Sequence, residues 1–220
     1  MSNKCSTNPD NEGVSCRPSD YAKTERPPDI GDIRSFTPKG ERDDIATTDL
    51  PLYCRRALET LGHEAQRPPS HVAVWALRRG LRRLRDVGDV RTICDARARL
   101  LAAGSEHIVQ LDDWHYKVQA RDGSKRLTLR MVEKHDRGRL LGLAAGMGLS
   151  QSTLGAIAIV FGLADAPLPG ELPDKLTIEV RAFCDALRSR AAIARDVAAR
   201  AAENPAEVRQ RPWAEIVGED

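Results

Sequence analysis

The sequence predicts a mainly α-helical fold with short β-strands. Apolar residues recur at spacings of three and four in several segments, which is the period of an amphipathic helix. In contrast, "KRLTLRM" at 125–131 alternates polar and apolar residues, as a half-buried strand does. Only 4% of the residues are aromatic, so the core must be mostly aliphatic. With 220 residues, the chain is long enough for one or two domains with buried cores.

The N-terminal part is expected to be a tail followed by a basic helical segment. Residues 1–40 are rich in Asn, Ser, Asp, Pro and Gly and contain few apolar residues, which predicts a disordered tail with a short extended piece around 33–36 as its one candidate element. Segment 41–103 then carries a weak strand and three helices, at 45–48, 50–65, 70–86 and 90–103.

The second half is expected to begin with a β-hairpin and to end in helices. Asp122 and Gly123 form a strong hairpin signal, which would let a strand at 114–120 pair with 125–131. Helices follow at about 134–147 and 150–162, and they complete a segment of 104–166. A proline-rich linker and an amphipathic helix at 174–202 make up 167–203, and 204–220 is expected to be a loose tail.

One apolar stretch resembles a membrane span in composition. Residues 140–164 carry no charge, and Gly138, Gly142 and Gly146 repeat every four residues, as in closely packed helices. However, "SQST" lies in the middle, and "GLS" is typical of a helix end followed by an N-cap. We therefore expect two short buried helices with unusually close packing, and no membrane partner.

Charge and cysteine usage narrow the class of protein. Between Arg55 and Arg99 there are 11 arginines against 5 acidic residues, which indicates either a phosphate-binding face or a solvated helix surface. The five cysteines are scattered, with no CxxC and no Cys/His pair at zinc spacing. We expect a reduced, cytoplasmic protein without a metal or other cofactor. No catalytic constellation is recognisable, so we do not expect an enzyme.

The strand at 125–131 and the two helices after it resemble the ribbon-helix-helix family of MetJ/Arc/CopG-type DNA-binding proteins. The similar letters are "KRLTLRM" and "LLGLAAGMGLSQSTLGAIAIVFG", with "MGLSQS" as the turn between the helices. In that family two copies pair their strands into an antiparallel ribbon, which lies in the DNA major groove.

The resemblance implies a role for each matching position. Arg126, Thr128 and Arg130 would contact bases, because arginine can grip guanine with two hydrogen bonds and threonine can contact thymine. Leu127, Leu129 and Met131 would face the helices. Phosphates would be contacted by Lys125 and by the start of the second helix, at Ser150, Gln151 and Ser152. The arginines of helix 70–86 would add backbone contacts, at Arg78, Arg79 and Arg82.

Residues 41–86 have the same order of strand, helix, turn and helix. They read either as a degenerate second copy, which would make the chain a tandem pseudo-dimer, or as a helical hairpin with an arginine-rich exposed side. Asp44, on the outward side of the first strand, would face phosphates unfavourably, so this half would bind DNA weakly.

The leading functional expectation is a protein that binds double-stranded DNA in a sequence-specific way. It would act as a transcriptional regulator such as a repressor, or as a plasmid or DNA-processing accessory, and it is compatible with a homodimer or higher oligomer. One alternative is a winged helix that reads DNA with 70–86 and uses 107–130 as its hairpin. Another is a protein-interaction scaffold that docks a partner on helix 174–202 and binds no DNA.

Overall fold

A computed structural model of the chain describes residues 26–38, 42–102 and 124–203. These residues form seven helices and two strands, so the prediction of a mainly α-helical fold is confirmed. In chain order the elements are α1 (Ile30–Ser35), β1 (Arg42–Pro51), α2 (Leu52–Ala65), α3 (Pro69–Asp86), α4 (Gly88–Ala102), β2 (Ser124–Glu133), α5 (Lys134–Met147), α6 (Gln151–Leu163) and α7 (Leu172–Glu203).

Two strand–helix–helix units repeat within the chain. The first unit consists of β1, α2 and α3, and the second consists of β2, α5 and α6. The three elements begin at 42, 52 and 69 in the first unit and at 124, 134 and 151 in the second, a constant offset of 82 residues. Both strands have 10 residues and both following helices have 14. The backbone plan of the first unit is therefore repeated without insertion as far as the start of its second helix.

The two strands pair with each other as an antiparallel, two-stranded ribbon. Ala46 pairs with Thr128 at its centre, and these two residues are equivalent under the offset. The offset also exchanges the two ends of the ribbon. Arg42 is equivalent to Ser124 and Pro51 is equivalent to Glu133, and the pairs are Arg42 with Glu133 and Pro51 with Ser124. The ribbon therefore has an approximate two-fold axis through its middle. The predicted strand at 45–48 is confirmed in position, although it extends further on both sides.

The second helices of the two units cross at the same axis. A Cβ atom on Gly80 would overlap the carbonyl oxygen of Ala158, and a Cβ on Gly162 would overlap that of Ala76. Gly80 and Gly162 are equivalent under the offset, as are Ala76 and Ala158. Each contact therefore repeats the other, and glycine is required at both because the two backbones touch.

Aliphatic side chains from both units form one core. Leu77 and Leu81 of α3 are buried, and α6 is buried all round from Leu154 to Leu163. The long helix α7 packs mainly on α4 and also contacts α2 and α6. Phe183 of α7 meets Phe161 of α6 edge to face, with ring centroids 5.4 Å apart. The apolar side of the predicted helix at 174–202 is therefore used within the chain.

The expectation of a disordered tail over 1–40 is wrong for residues 26–38. Residues 30–35 form a helix, where an extended piece was expected at 33–36. Asp29 and Asp32 make a reciprocal capping box at its start, and Ile33 is fully buried. The capping box, the burial of Ile33 and hydrogen bonds from Arg67 to the Arg34 carbonyl and from His71 to the Phe36 carbonyl hold this segment in place, although its composition is polar. Residues 1–25 lie outside the described part.

The glycine repeat of α5 does not mediate the close packing that the sequence suggested. A Cβ on Gly138 or Gly142 would meet no atom within 4 Å, and only Gly146 lies close to a neighbour, the Cys94 side chain. Within the described residues, no single helix is long and apolar enough to cross a membrane. Helices α5 and α6 reach that length and apolar character only when they are taken together, and the chain bends by 110° at their junction.

The assignment of this chain to the ribbon-helix-helix family is wrong. Helices dominate the described residues, with seven of them and only two short strands. A two-stranded ribbon beside helices is a local feature, which does not establish a family. The predicted pairing of 125–131 with 114–120 falls partly outside the described residues, because 103–123 are not among them; the partner that the structure gives to β2 is β1.

Candidate nucleic-acid interface

The ribbon has one face turned to the helices. Leu129 and Val132 of β2 are fully buried, and Leu127 is partly buried against the core. Helix α3 lies against β2, and helix α6 lies against β1, so each unit's second helix supports the other unit's strand. The predicted inward positions 127 and 129 are confirmed by this burial.

The three predicted base-contacting positions alternate along the same strand with the positions that face the helices. Positions 126, 128 and 130 alternate with Leu127 and Leu129, and a strand places successive residues on opposite faces. Thr128 lies at the centre of the ribbon, opposite Ala46. Arg126 and Arg130 therefore lie on either side of the two-fold axis, near opposite ends of the ribbon. Lys125 is the residue that pairs with Leu50.

Two register shifts give the ribbon matched irregularities. Between the pairs Thr47–Leu127 and Leu50–Lys125, β1 has two residues where β2 has one. Between the pairs Ile45–Leu129 and Asp43–Val132, β2 has two residues where β1 has one. The doubled positions are 48–49 and 130–131, which are equivalent under the offset of 82. Such bulges increase local twist and re-aim the residues around them.

The start of α6 has an exposed serine as its N-cap. Ser150 is the exposed N-cap, and its Oγ accepts a hydrogen bond of 3.0 Å from the backbone N–H of Thr153. Gln151 and Ser152 occupy the first turn and are half-buried. The first N–H groups of a helix have no partner inside the helix, and the helix dipole favours negative charge there. These features are compatible with the predicted phosphate contacts.

The start of α3 is chemically different. Pro68 occupies the N-cap position and Pro69 the first turn, so no side chain caps this end and one backbone donor is missing. His71 donates a 2.9 Å hydrogen bond from Nε2 to the carbonyl of Phe36, which holds the N-terminal segment on this helix. The two helix starts therefore share a position in the fold but offer an anion different donors.

Arg78 is bound to acidic groups of the second unit. Its Nη1 lies 2.6 Å from Glu133 Oε1, and its Nε lies 3.6 Å from Asp136 Oδ2. The ring of Phe36 stands below the guanidinium, 5.9 Å from its centroid. This arrangement fixes the end of β2 to α3. Since Glu133 and Asp136 already neutralise it, Arg78 is a weaker candidate for phosphate than the sequence suggested.

The Asp136 carboxyl is nearly fully buried, with 2% of the residue exposed. Burial raises the pKa of Asp136 above its usual value, and the Glu133 carboxylate acts in the same direction. The Arg78 and Arg139 guanidinium groups oppose that rise in pKa without cancelling it. The position equivalent to Asp136 in the first unit is Cys54, which is also buried. Burial likewise raises the pKa of the Cys54 thiol.

Arg79 and Arg83 are also engaged inside the protein, each with 6% exposure. Both guanidinium groups bind Asp165 Oδ2, Arg79 at 3.1 Å and Arg83 at a shorter separation. Arg83 also donates a 2.7 Å hydrogen bond to the carbonyl of Phe161. Arg83 and Asp165 occupy equivalent positions under the offset, so an ion pair joins the two units at this point. Two units with identical residues would instead place two like charges next to each other there. Arg82 is exposed, as its predicted phosphate contact requires.

These pairings also bear on the winged-helix alternative. Four of the five arginines of α3 are bound to acidic side chains, so this helix does not present a row of unpaired guanidinium groups; the four are Arg78, Arg79, Arg83 and Arg85. Among the residues that the structure describes, no three His, Cys, Asp or Glu side chains lie close enough together to hold a metal ion.

Comparison with known proteins finds no match: no family model, no curated protein and no solved structure resembles this chain. The ribbon-helix-helix assignment therefore has no support from relatives either.

The acidic residues that bind the α3 arginines and the repeat of the two units are not among the features predicted from the sequence. The acidic partners Glu133, Asp136 and Asp165 were not singled out, although they are the residues that bind the α3 arginines. The constant offset of 82 was also missed. The pattern A-x-x-x-G occurs at 76–80 and at 158–162, but it also occurs at 144–148 and 166–170, so it does not reveal the offset by itself.

Proposed function

We propose that this protein binds double-stranded DNA through the face of the β1–β2 ribbon opposite the helices. The observation that carries the proposal is the ribbon itself, which combines a buried face at Leu129 and Val132 with alternate positions occupied by Arg126, Thr128 and Arg130. A two-stranded ribbon fits the major groove of B-DNA, which is about 12 Å wide.

Residue chemistry supports this choice of ligand. Arginine donates two hydrogen bonds to O6 and N7 of guanine, and threonine can donate, accept or contact the thymine methyl group. Beside the ribbon, Lys125 and the start of α6 at Ser150–Ser152 would contact phosphates and fix the register on the duplex. Arg82 of α3 would add a further phosphate contact. We leave Arg79 out of this set because Asp165 holds it inside the protein.

A single chain would supply the whole interface. Both ribbon strands come from one chain, and the ion pair between Arg83 and Asp165 joins the two units across their axis. We therefore expect one chain per DNA site. A regulatory role in transcription, or an accessory role in plasmid or DNA processing, would follow from binding of this kind.

The test is a fluorescence-anisotropy titration of duplex DNA at several salt concentrations. Wild type should show a logarithmic affinity that falls linearly with the logarithm of salt, with a slope of about −0.9 per phosphate contact. On a duplex selected for tight binding, the Arg126→Ala/Arg130→Ala variant should lose about 1–3 kcal/mol per lost base contact.

The matched control is Arg181→Ala/Arg195→Ala, which removes two exposed arginines from α7 and changes the net charge equally. It should bind nearly as well as wild type. If the control loses as much affinity as the ribbon variant, binding depends on net charge alone. Binding without salt dependence, or none, would refute the proposal.

A further inference from the structure

We infer that the DNA site is non-palindromic, an inference that rests on the proposed function. The ribbon has an approximate two-fold axis, which passes through the pair Ala46–Thr128. A symmetric protein places identical residues over both halves of its site, and its operator is then palindromic. Here the backbone of the ribbon is approximately symmetric, so the residue types at equivalent positions decide whether the two halves of the DNA site are alike.

The two ends of the ribbon carry different residues. At one end Arg126 lies across from the doubled position of Thr48 and Asp49. At the other end Asp44 lies across from the doubled position of Arg130 and Met131. The offset makes 44 equivalent to 126 and 48 equivalent to 130. Arg126 of the second unit therefore corresponds to Asp44 of the first unit, and Arg130 corresponds to Thr48.

Each set of residues favours different bases. Arginine prefers guanine, a carboxylate accepts a hydrogen bond from the amino group of cytosine, and threonine is compatible with several bases. The end with Arg126 and Thr48 should therefore select a different half-site from the end with Arg130 and Asp44. The centre differs as well, because Ala46 offers only a methyl group where Thr128 has a hydroxyl.

The starts of the second helices make the same distinction. Ser150 caps α6 with its hydroxyl, whereas the equivalent position at the start of α3 is Pro68. Pro69, which follows, has no backbone N–H to give to a phosphate. Phosphate contacts beside the two half-sites should therefore differ in strength, which would orient the protein on the duplex.

The experiment selects binding sites from a random duplex library with the intact chain. We expect a non-palindromic consensus. Two symmetrised duplexes, each carrying one half-site twice in inverted repeat, should then bind wild type at least about tenfold more weakly than the selected site, as expected for one or more mismatched base pairs.

A variant sharpens the test. The triple variant gives the first strand the residues of the second strand at all three outward positions; its changes are Asp44→Arg, Ala46→Thr and Thr48→Arg. It should prefer one of the symmetrised duplexes over the wild-type site. Circular dichroism checks its folding, and the wild-type comparison stands without it.

A palindromic consensus, or equal wild-type binding to a symmetrised duplex, would overturn this inference while leaving DNA binding intact. Salt-sensitive binding with no enriched sequence would likewise overturn it. Failure to bind any duplex would overturn the proposed function, and this inference with it.

Discussion

The two strand–helix–helix units have the same backbone plan and different chemistry at equivalent positions. Where the helices α3 and α6 cross, the units are alike, with Ala76 and Gly80 matching Ala158 and Gly162. Three residues past each glycine they diverge into opposites, Arg83 and Asp165, which pair with each other. The comparison indicates that close backbone contact constrains both units equally, whereas positions beside it can specialise once both units belong to one chain.

The crossing should be the most sensitive part of the molecule. Gly80→Ala and Gly162→Ala would each drive a methyl group into a backbone carbonyl, so each should lower the free energy of unfolding by about 3 kcal/mol or more. Their costs should be similar because the contacts are equivalent. Urea denaturation measures both variants.

Gly142→Ala is the matched control for that prediction. Gly142 lies in the middle of α5 with open space around its Cβ position. Alanine there should raise stability by about 1 kcal/mol, since glycine is the poorer helix former. A small cost at Gly80 but a large one at Gly162 would contradict the equivalence of the two units.

The ion pair between the units should give the next largest effect. Arg83→Met removes the guanidinium that binds Asp165 and the carbonyl of Phe161. We expect a loss of about 3 kcal/mol, because removal of one partner leaves a partly buried carboxylate with less compensation. Arg181→Met, on the exposed side of α7, should change stability by less than about 0.5 kcal/mol. Equal effects in thermal unfolding would show that Arg83 does not join the units.

The caps of the second helices offer a smaller test of the difference. Ser150→Ala removes the hydroxyl that accepts from the Thr153 N–H, and it should cost about 1 kcal/mol. Ser152→Ala, in the same turn, should cost less than about 0.5 kcal/mol. Chemical denaturation resolves the two variants. A Ser150 effect no larger than that of Ser152 would remove the cap as a distinction between α6 and α3.

The buried carboxyl of Asp136, at the position equivalent to Cys54, predicts that the free energy of unfolding depends on pH. The folded pKa of Asp136 lies above the unfolded one, so the folded state binds the proton more tightly. The contribution of this carboxyl to the free energy of unfolding is therefore greatest at acid pH, and it decreases as pH rises through the pKa of the folded state. Relative to Asp136→Asn, wild type should lose stability as pH rises from about 4 toward neutrality.

Unfolding measured at several pH values checks the sign of that prediction. A difference between wild type and Asp136→Asn that is constant with pH, or that favours wild type increasingly at higher pH, would contradict it. Such a result would mean that Arg78 and Arg139 compensate the carboxylate fully.

Much of the fold was predictable because local patterns determine it. Helices α2 to α7 lie within two residues of their predicted bounds, since apolar periodicity and breakers such as Gly148 act locally. Helix α1 was not predicted, because its six residues depend on a capping box and on contacts with residues about 30 positions away in sequence, such as the hydrogen bond from Arg67 to the Arg34 carbonyl. Its neighbours in sequence give no periodic signal.

The site was only partly predictable for a different reason. Alternation in 125–131 gives the faces of β2, and burial of Leu129 agrees with it. Which arginines bind acidic partners depends on contacts such as Arg79 with Asp165, 86 residues apart in sequence. Sequence spacing within α3 cannot show that, so surface charge was overestimated there.

The central claim is that the ribbon contacts DNA, and site-specific photocrosslinking tests it most directly. A photoreactive benzoylphenylalanine at position 128, the centre of the ribbon, should form a covalent adduct with bound duplex on irradiation. The same group at position 185, an exposed site on α7, should form little or none. Crosslinking from 185 but not from 128, with DNA still bound, would move the binding surface off the ribbon and contradict the account.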